Sequence, residues 1–225
     1  MRETALLFDL DGTLVDTAPD LHGALNHSLA RAGRRPVSLE DVQHMVGRGA
    51  RVLLQLGLKA TGGMPSDEVF EGLVTEFFDY YEDHLSDMSR PYDGVIETLD
   101  AFRAAGAPMA VCTNKPRGFA FDLLEELNMG HYFSAITGGD SFHVRKPDAG
   151  HITGTLKAMG KEKSPAIMIG DSVNDIEAAR AANIPSIAVS YGYTETPVKL
   201  LAPDHIVDHF RELVPLIQRL TAKTA

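Results

Sequence analysis

The sequence predicts an α/β fold: a doubly wound parallel sheet with an inserted α-helical cap domain. Short apolar runs alternate with helical patterns, first at the start of the chain and again from about residue 92 onward. This alternation is typical of a parallel sheet covered by helices. Between these two regions the pattern is helical throughout. We therefore expect an α/β core of residues 1–15 and 88–225 and a helical cap of residues 16–87.

The first predicted strand, at about residues 4–8, ends in two carboxylates. Its apolar run predicts a buried strand, and Asp9 and Asp11 follow it in a turn that contains Gly12. Burying charge costs free energy unless the charge is paired or bound to a metal. Two acids at the end of a core strand therefore indicate a cation site or a reaction, although a solvated acidic turn has the same pattern.

Four helical segments fill the predicted cap. The first begins near Thr17, and the second begins at Ser38, with Asp41 in the position of a capping box. The third follows an interruption at residues 47–49, and a longer fourth segment begins after Ser66. Apolar side chains recur at helical spacing along these segments, which favours a helix-bundle core.

The remainder of the chain alternates between strands and helices. Predicted strands lie at about residues 108–112, 133–137, 166–169, 186–189 and 205–207. In such sheets the ligand binds beyond the carboxyl ends of the strands. Asp9, Thr113 and Asp171 each follow a predicted strand, so we expect their side chains to meet at one edge of the sheet.

Composition limits the classes of partner. The formal net charge of −10 argues against nucleic acid, whose phosphates require clustered Lys and Arg, and against an anionic membrane surface. No apolar run approaches the roughly 18 residues of a membrane span. The single cysteine, Cys112, rules out an internal disulfide and fits a reducing cytoplasm. The sequence leaves monomer and homodimer open.

Four motifs in this order resemble the haloacid dehalogenase-like (HAD) phosphohydrolase superfamily. They are the run from Leu6 to Asp16, Thr113 at a strand end, Lys146 before a proline, and the segment that contains Asp171 and Asp175. The resemblance covers nearly the whole chain. It implies a Rossmann-like core and a phosphatase that forms an aspartyl-phosphate on its own chain.

The resemblance implies a role for each of the acids. Three acids at one edge would repel one another, and oxygen ligands with room for phosphate suit Mg²⁺. The resemblance implies that Asp9 is the nucleophile and a metal ligand. It also implies that Asp11 gives its backbone carbonyl to the metal and acts as general acid and base, and that Asp171 gives its carboxylate. Asp175 corresponds to a supporting acid of the metal site or of Lys146.

The other predicted catalytic residues are Thr113 and Lys146, which the resemblance places against the phosphoryl oxygens. Asn114 is expected to hold substrate or to orient Asp9. The dehalogenases of the superfamily lack an acid at the position of Asp11, so the resemblance favours phosphate ester chemistry over carbon–halogen cleavage.

The cap loop suggests the kind of substrate. Gly47 allows the backbone to approach a ligand closely, and Arg48 could pair with a substrate carboxylate; a solvated arginine in a helix-to-helix turn fits equally well. The cap loop at residues 46–50 and the tail at residues 189–193 and 203–208 resemble those of phosphoglycolate phosphatases. We therefore expect a phosphatase that acts on a small phosphate ester, first of all 2-phosphoglycolate.

Two alternatives remain within the same scaffold, and one lies outside it. Related caps serve phosphatases of sugar phosphates, pyrophosphate or nucleotides. A phosphomutase similar to β-phosphoglucomutase would return the phosphoryl group to a bound sugar. A non-catalytic binding protein would require a broken set of motifs, whereas every motif is present here.

Overall fold

The computed structural model describes residues 2–194 and 196–222. Within these ranges the chain forms two sheets. The strands are β1 (Ala5–Phe8), β2 (Val15–Asp16), β3 (Arg90–Pro91), β4 (Met109–Cys112), β5 (Ala135–Thr137), β6 (Ala166–Gly170), β7 (Ser186–Val189) and β8 (His205–Val207). Six of them form a parallel sheet in the order β5-β4-β1-β6-β7-β8, and β2 and β3 form a separate antiparallel ribbon.

The helices follow the predicted order. They are α1 (Ala18–Arg31), α2 (Leu39–Gln43), α3 (Ala50–Thr61), α4 (Asp67–Asp83), α5 (Val95–Ala104), α6 (Arg117–Glu126), α7 (Ala149–Ala158), α8 (Val173–Ala181) and α9 (Leu213–Ala222), with short 3₁₀ turns at Gly130–Tyr132, Val198–Leu201 and Phe210–Glu212. The α/β class with a parallel sheet and an inserted helical segment is confirmed.

The centre of the sheet determines where the site forms. Strand β1 lies between β4 and β6, and all of its residues are buried. Because both faces of a parallel sheet are covered, its central strands are apolar runs without alternation. On one face the Phe8 ring contacts Phe102, Phe133 and Phe210 at centroid distances of 6.0 to 6.3 Å. This packing fixes the end of β1, from which Asp9 emerges.

Helices α1 to α4 lie between the two strands of the β2–β3 ribbon in the chain. The buried carboxylate of Asp20 in α1 accepts hydrogen bonds from the backbone N–H groups of Met88 and Ser89 at 2.7 to 3.1 Å and from the Ser89 hydroxyl at 2.6 Å. These bonds tie the first of these helices to the segment that returns to the sheet. The division into a core and a cap at residues 16 and 87 stays a prediction.

Several boundaries differ from the sequence-based expectation. The β2–β3 ribbon was not expected, since each of its strands has only two residues. Helix α3 continues to Thr61, where a loop was expected from residue 59, and α8 begins at Val173, two residues early, because Ser172 caps it. Residues 1, 195 and 223–225 of the predicted core lie outside the described residues. No helix in the described ranges is long and apolar enough to cross a membrane.

Candidate active site

The candidate site forms at the carboxyl edge of the three central strands. Asp9 follows β1, Thr113 follows β4 and Asp171 follows β6. Because β1 pairs with both β4 and β6 in parallel, these strand ends are neighbours, as in other doubly wound sheets. All three side chains are buried. The structure therefore brings together the residues that end these strands.

Three buried carboxylates form the most strongly charged part of the site. Oxygens of Asp9, Asp171 and Asp175 lie within 4.8 Å of one another. Burial, and then the charge of Asp175, raise the pKa of Asp9 to about 7, although Lys146 opposes this shift. Burial and the neighbouring carboxylates also raise the pKa of Asp171 well above its ordinary value. Clustered buried carboxylates of this kind fit a hard divalent cation, which offsets their repulsion.

Lys146 lies between two of these acids. Its Nζ is 3.0 Å from Asp9 Oδ1 and donates to Asp175 Oδ1 at 2.6 Å. Burial lowers the pKa of Lys146, but the charges of Asp175 and Asp9 outweigh this effect and hold the pKa above its ordinary value. Lys146 is therefore a charged ammonium group with both carboxylates in reach.

Asp175 has a full set of partners. Its Oδ2 accepts hydrogen bonds from the backbone N–H of Ser172 at 3.0 Å and from the Ser172 hydroxyl at 2.8 Å, which completes the capping box of α8. The other oxygen accepts from Lys146. Asp175 therefore holds Lys146 with one oxygen and caps α8 with the other.

Asp171 is oriented by the turn after β1 and by the tail. The Thr13 hydroxyl donates to Asp171 Oδ1 at 3.0 Å, and the Tyr193 backbone N–H donates to Oδ2 at 2.7 Å. Gly12 has φ +84°, and a Cβ at this position would meet Asp171 Oδ2 at 2.5 Å. Glycine is therefore required here both by the left-handed backbone and by the close approach of the carboxylate.

Asp11 has two partners that the sequence analysis did not identify. The Thr17 hydroxyl donates to Asp11 Oδ1 at 2.8 Å, and Lys115 Nζ donates to the same oxygen at 3.0 Å. Lys115 also donates to the Tyr81 hydroxyl at 2.6 Å. Burial lowers the pKa of Lys115, but the charge of Asp11 and the contact with Tyr81 raise it above its ordinary value. This lysine is therefore a second buried cation of the site.

Asn114 links the strand end to the cap loop. Its Nδ2 donates to the carbonyl oxygens of Gly47, at 3.1 Å, and Lys146, at 3.0 Å, whereas its buried Oδ1 has no partner within the described residues. Asn174 also donates to the Gly47 carbonyl, at 3.1 Å. The cap loop is thus held over the site by Asn114, which follows β4, and by Asn174 in the first turn of α8.

A cleft opens between this edge and the helices α1, α3 and α4. Asp9, Asp11, Thr113, Asn114 and Lys115 line it on the sheet side, with Gly47 and Gly49 at the cap loop. The rest of its wall is largely apolar and comprises Leu21, Val46, Ala50, Leu53, Phe78, Pro116 and Phe119 together with Tyr81. The cleft therefore offers charged groups at one end and apolar walls around them.

Arg48 lies apart from this cleft. It is exposed and lines a neighbouring recess with Asn174 and Tyr193, while Gly47 lines the cleft itself. Gly47 and Gly49 both have positive φ, at +98° and +89°, and these turns set the direction of the loop. The structure brings Gly47 to the other predicted residues but does not bring Arg48 there.

Lys115, Tyr81, Thr17 and Thr13 are the site residues that sequence reasoning missed. Lys115 had a usable signal, since it stands two residues after Thr113 in the same loop at the carboxyl edge. Tyr81 had none, because its place in the apolar stripe of α4 is indistinguishable from a core position.

Comparisons with known proteins identify the family of the chain. A sequence model of haloacid dehalogenase-like hydrolases matches residues 6–189. The chain is 49% identical over 222 residues to a phosphoglycolate phosphatase of Agrobacterium fabrum, covering 97% of this chain and 94% of that protein. It is 45% identical to a phosphoglycolate phosphatase of Caulobacter vibrioides, over 95% of this chain and 90% of that one.

A solved structure extends the likeness to three dimensions. The crystal structure of a predicted phosphoglycolate phosphatase from Haemophilus somnus superposes with a TM-score of 0.90 at 32% identity, and the match covers 96% of this chain and 99% of that one. Sequence model, relatives and fold lead to the same conclusion: this chain belongs to the haloacid dehalogenase-like hydrolase family.

Proposed function

We propose that this protein is a magnesium-dependent phosphomonoesterase that hydrolyses 2-phosphoglycolate through an aspartyl-phosphate on Asp9. The observation that carries the proposal is the buried group of Asp9, Asp171 and Asp175, with the Lys146 ammonium 3.0 Å from Asp9, at the end of a cleft. Relatives named phosphoglycolate phosphatase at up to 49% identity support the choice of substrate.

The first step transfers the phosphoryl group to the protein. An oxygen of Asp9 attacks phosphorus in line, the Asp9 O–P bond forms, and the P–O bond of the ester breaks. Asp11 gives its proton to the departing alkoxide oxygen. The hydrogen bond from Leu10 N–H to Asp9 Oδ1, at 2.8 Å, and the Lys146 contact fix the orientation of the attacking carboxylate.

The second step releases phosphate. The Asp11 carboxylate takes a proton from a water molecule, whose oxygen attacks phosphorus as the bond to Asp9 breaks. This returns Asp9 to its carboxylate form and Asp11 to its protonated form. During both steps the Lys146 ammonium offsets charge on the phosphoryl oxygens, and the Thr113 hydroxyl holds their geometry.

The acidic residues would hold the metal. Asp9 and Asp171 would give carboxylate oxygens and Asp11 its backbone carbonyl, while Asp175 orients Lys146. A bound Mg²⁺ supplies positive charge that keeps the carboxylates ionised and stabilises the transferring phosphoryl group. The pKa values of Asp9 and Asp171 are raised by burial and by the neighbouring carboxylates. A bound cation would relieve this repulsion, so the raised values support the assignment.

The walls of the cleft favour a small substrate. Beyond the charged end, its lining is apolar, with Leu21, Leu53, Phe78 and Phe119. Sugar hydroxyls would find few hydrogen-bond partners on these side chains, and burying an unpaired hydroxyl is costly. A two-carbon phosphate ester leaves no such group unpaired.

Phosphate release from a panel of phosphomonoesters tests this function. The panel contains 2-phosphoglycolate, a hexose phosphate, a nucleoside monophosphate and p-nitrophenyl phosphate, each with Mg²⁺ and with EDTA. We expect 2-phosphoglycolate to give the highest kcat/KM and EDTA to stop its hydrolysis. A maximum on a sugar phosphate would contradict the substrate, and release that persists in EDTA would contradict the metal. Release from none of them would favour the phosphomutase alternative.

A further inference from the structure

Lys115 is a buried cation that the mechanism above does not use. Its side chain is 3% exposed, and burying an ammonium group costs several kcal/mol unless its partners offset the loss of hydration. Apart from Lys146, no other lysine of the described ranges is buried. Lys146 serves the nucleophile and its supporting acid. Lys115 lies instead beside the general acid Asp11 and lines the cleft.

The hydrogen bonds of Lys115 are incomplete. An ammonium group has three donors, and in the described part of the chain two of them have acceptors, Asp11 Oδ1 at 3.0 Å and the Tyr81 hydroxyl at 2.6 Å. The Tyr81 hydroxyl accepts this bond and keeps its own proton to donate. Lys115 and Tyr81 both line the cleft, so together they offer it two donors and one positive charge.

Two donors and a positive charge are what a carboxylate requires. We propose that Lys115 and the Tyr81 hydroxyl bind the carboxylate of a phosphorylated two-carbon acid and so select for it. This inference rests on the proposed function and names the residues that recognise its substrate.

The position of Lys115 relative to Asp11 sets the length of the acid. In the mechanism, Asp11 contacts the leaving oxygen of the ester, and Lys115 is one hydrogen-bond length from Asp11. In a phosphorylated two-carbon acid a single carbon separates the leaving oxygen from the carboxylate. The carboxylate therefore lies within reach of Lys115 while the leaving oxygen contacts Asp11.

The apolar wall strengthens this contact. Phe78 and Phe119 stack at a centroid distance of 5.4 Å and line the same cleft. Side chains of this kind exclude water, and a charge pair is stronger where water is excluded. Arg48, the alternative partner for a carboxylate, lines a different recess.

The test compares 2-phosphoglycolate with ethyl phosphate, which has the same chain length and no carboxylate. The readout is the ratio of the two kcat/KM values, measured with Mg²⁺ present. If a substitution disturbs the positioning of Asp11, it lowers kcat/KM for both substrates, and this effect cancels in the ratio. Loss of carboxylate recognition changes the ratio itself.

We expect Lys115→Met to lower the ratio about 100-fold, since a charge-assisted hydrogen bond is lost. Tyr81→Phe keeps the ring and should lower the ratio about fivefold; it also tests the inference if Lys115→Met does not fold. Lys59→Met, which removes an exposed lysine of α3, should leave the ratio unchanged.

Unchanged ratios in the Lys115 and Tyr81 variants, with the wild type strongly preferring 2-phosphoglycolate, would overturn the inference and leave the proposed function intact. A ratio that falls in Arg48→Met and not in Lys115→Met would show that Arg48, and not Lys115, binds the substrate carboxylate. A wild type that hydrolyses both esters equally well would contradict the proposed substrate and this inference together.

Discussion

His151 makes the stability of the fold depend on pH. Its side chain is completely buried, and its Nδ1 accepts a hydrogen bond from the backbone N–H of Lys146 at 3.2 Å. Burial, and then the charge of Lys146, lower the pKa of His151 from 6.5 to about 4. The neutral ring is therefore part of the support for the Lys146 loop.

The pKa of His151 is about 6.5 in the unfolded chain and about 4 in the folded chain. Between pH 4 and 6.5 the unfolded chain binds a proton at His151 that the folded chain does not, so stability falls as the pH decreases. The two pKa values differ by about 2.5, which corresponds to about 3 kcal/mol in the free energy of unfolding. About 2 kcal/mol of this is lost between pH 7 and pH 5.

The matched variant is His151→Gln, whose amide oxygen can accept the same backbone hydrogen bond without titrating. Urea unfolding at pH 7 and pH 5 gives the free energy of unfolding of each protein. We expect the wild type to lose about 2 kcal/mol more than the variant over this range, because contributions from groups that both proteins share cancel. Equal losses in the two proteins would refute the account of His151.

Three further predictions concern the metal, the nucleophile and the hydrogen bonds of Tyr193. Mg²⁺ at a hundredfold excess over its Kd should stabilise the fold by about 3 kcal/mol and raise Tm by roughly 5 to 10 °C; an equal rise in Asp171→Asn would contradict the metal assignment. Asp9→Asn should abolish turnover at unchanged fold, judged by circular dichroism, and near-normal rates would rule out Asp9 as nucleophile. The Tyr193 hydroxyl accepts from the Ala18 backbone N–H at 3.0 Å and donates to Asp16. Tyr193→Phe should therefore cost about 1 to 3 kcal/mol in urea unfolding, and no loss would show that water replaces these bonds.

The positions of the central site residues were predictable because strand ends are local features. The apolar runs before Asp9, Thr113 and Asp171 fix where each strand stops. The parallel topology then brings those ends to one edge. The fold class followed from the same runs, so the arrangement of these three residues required no knowledge of long-range packing.

The rest of the site depends on contacts between distant segments. Lys115 and Tyr81 are 34 residues apart and meet only because α4 packs over the sheet edge. Arg48 was expected near the substrate, but with positive φ at Gly47 and Gly49 the loop places these two glycines along the cleft and Arg48 along a neighbouring recess. A loop direction of this kind is set by backbone conformations that the residue pattern does not determine.

The central claim is that Asp9 carries the phosphoryl group during turnover, and the most direct measurement is to trap that species. Wild-type protein with Mg²⁺ and 2-phosphoglycolate is quenched in acid during steady-state turnover, digested and mapped by mass spectrometry. We predict a single phosphoryl group on the peptide that contains Asp9, lost on treatment with hydroxylamine, and none in Asp9→Asn. A phosphoryl group on another residue, or a quenched protein without one at every time point of active turnover, would contradict the account.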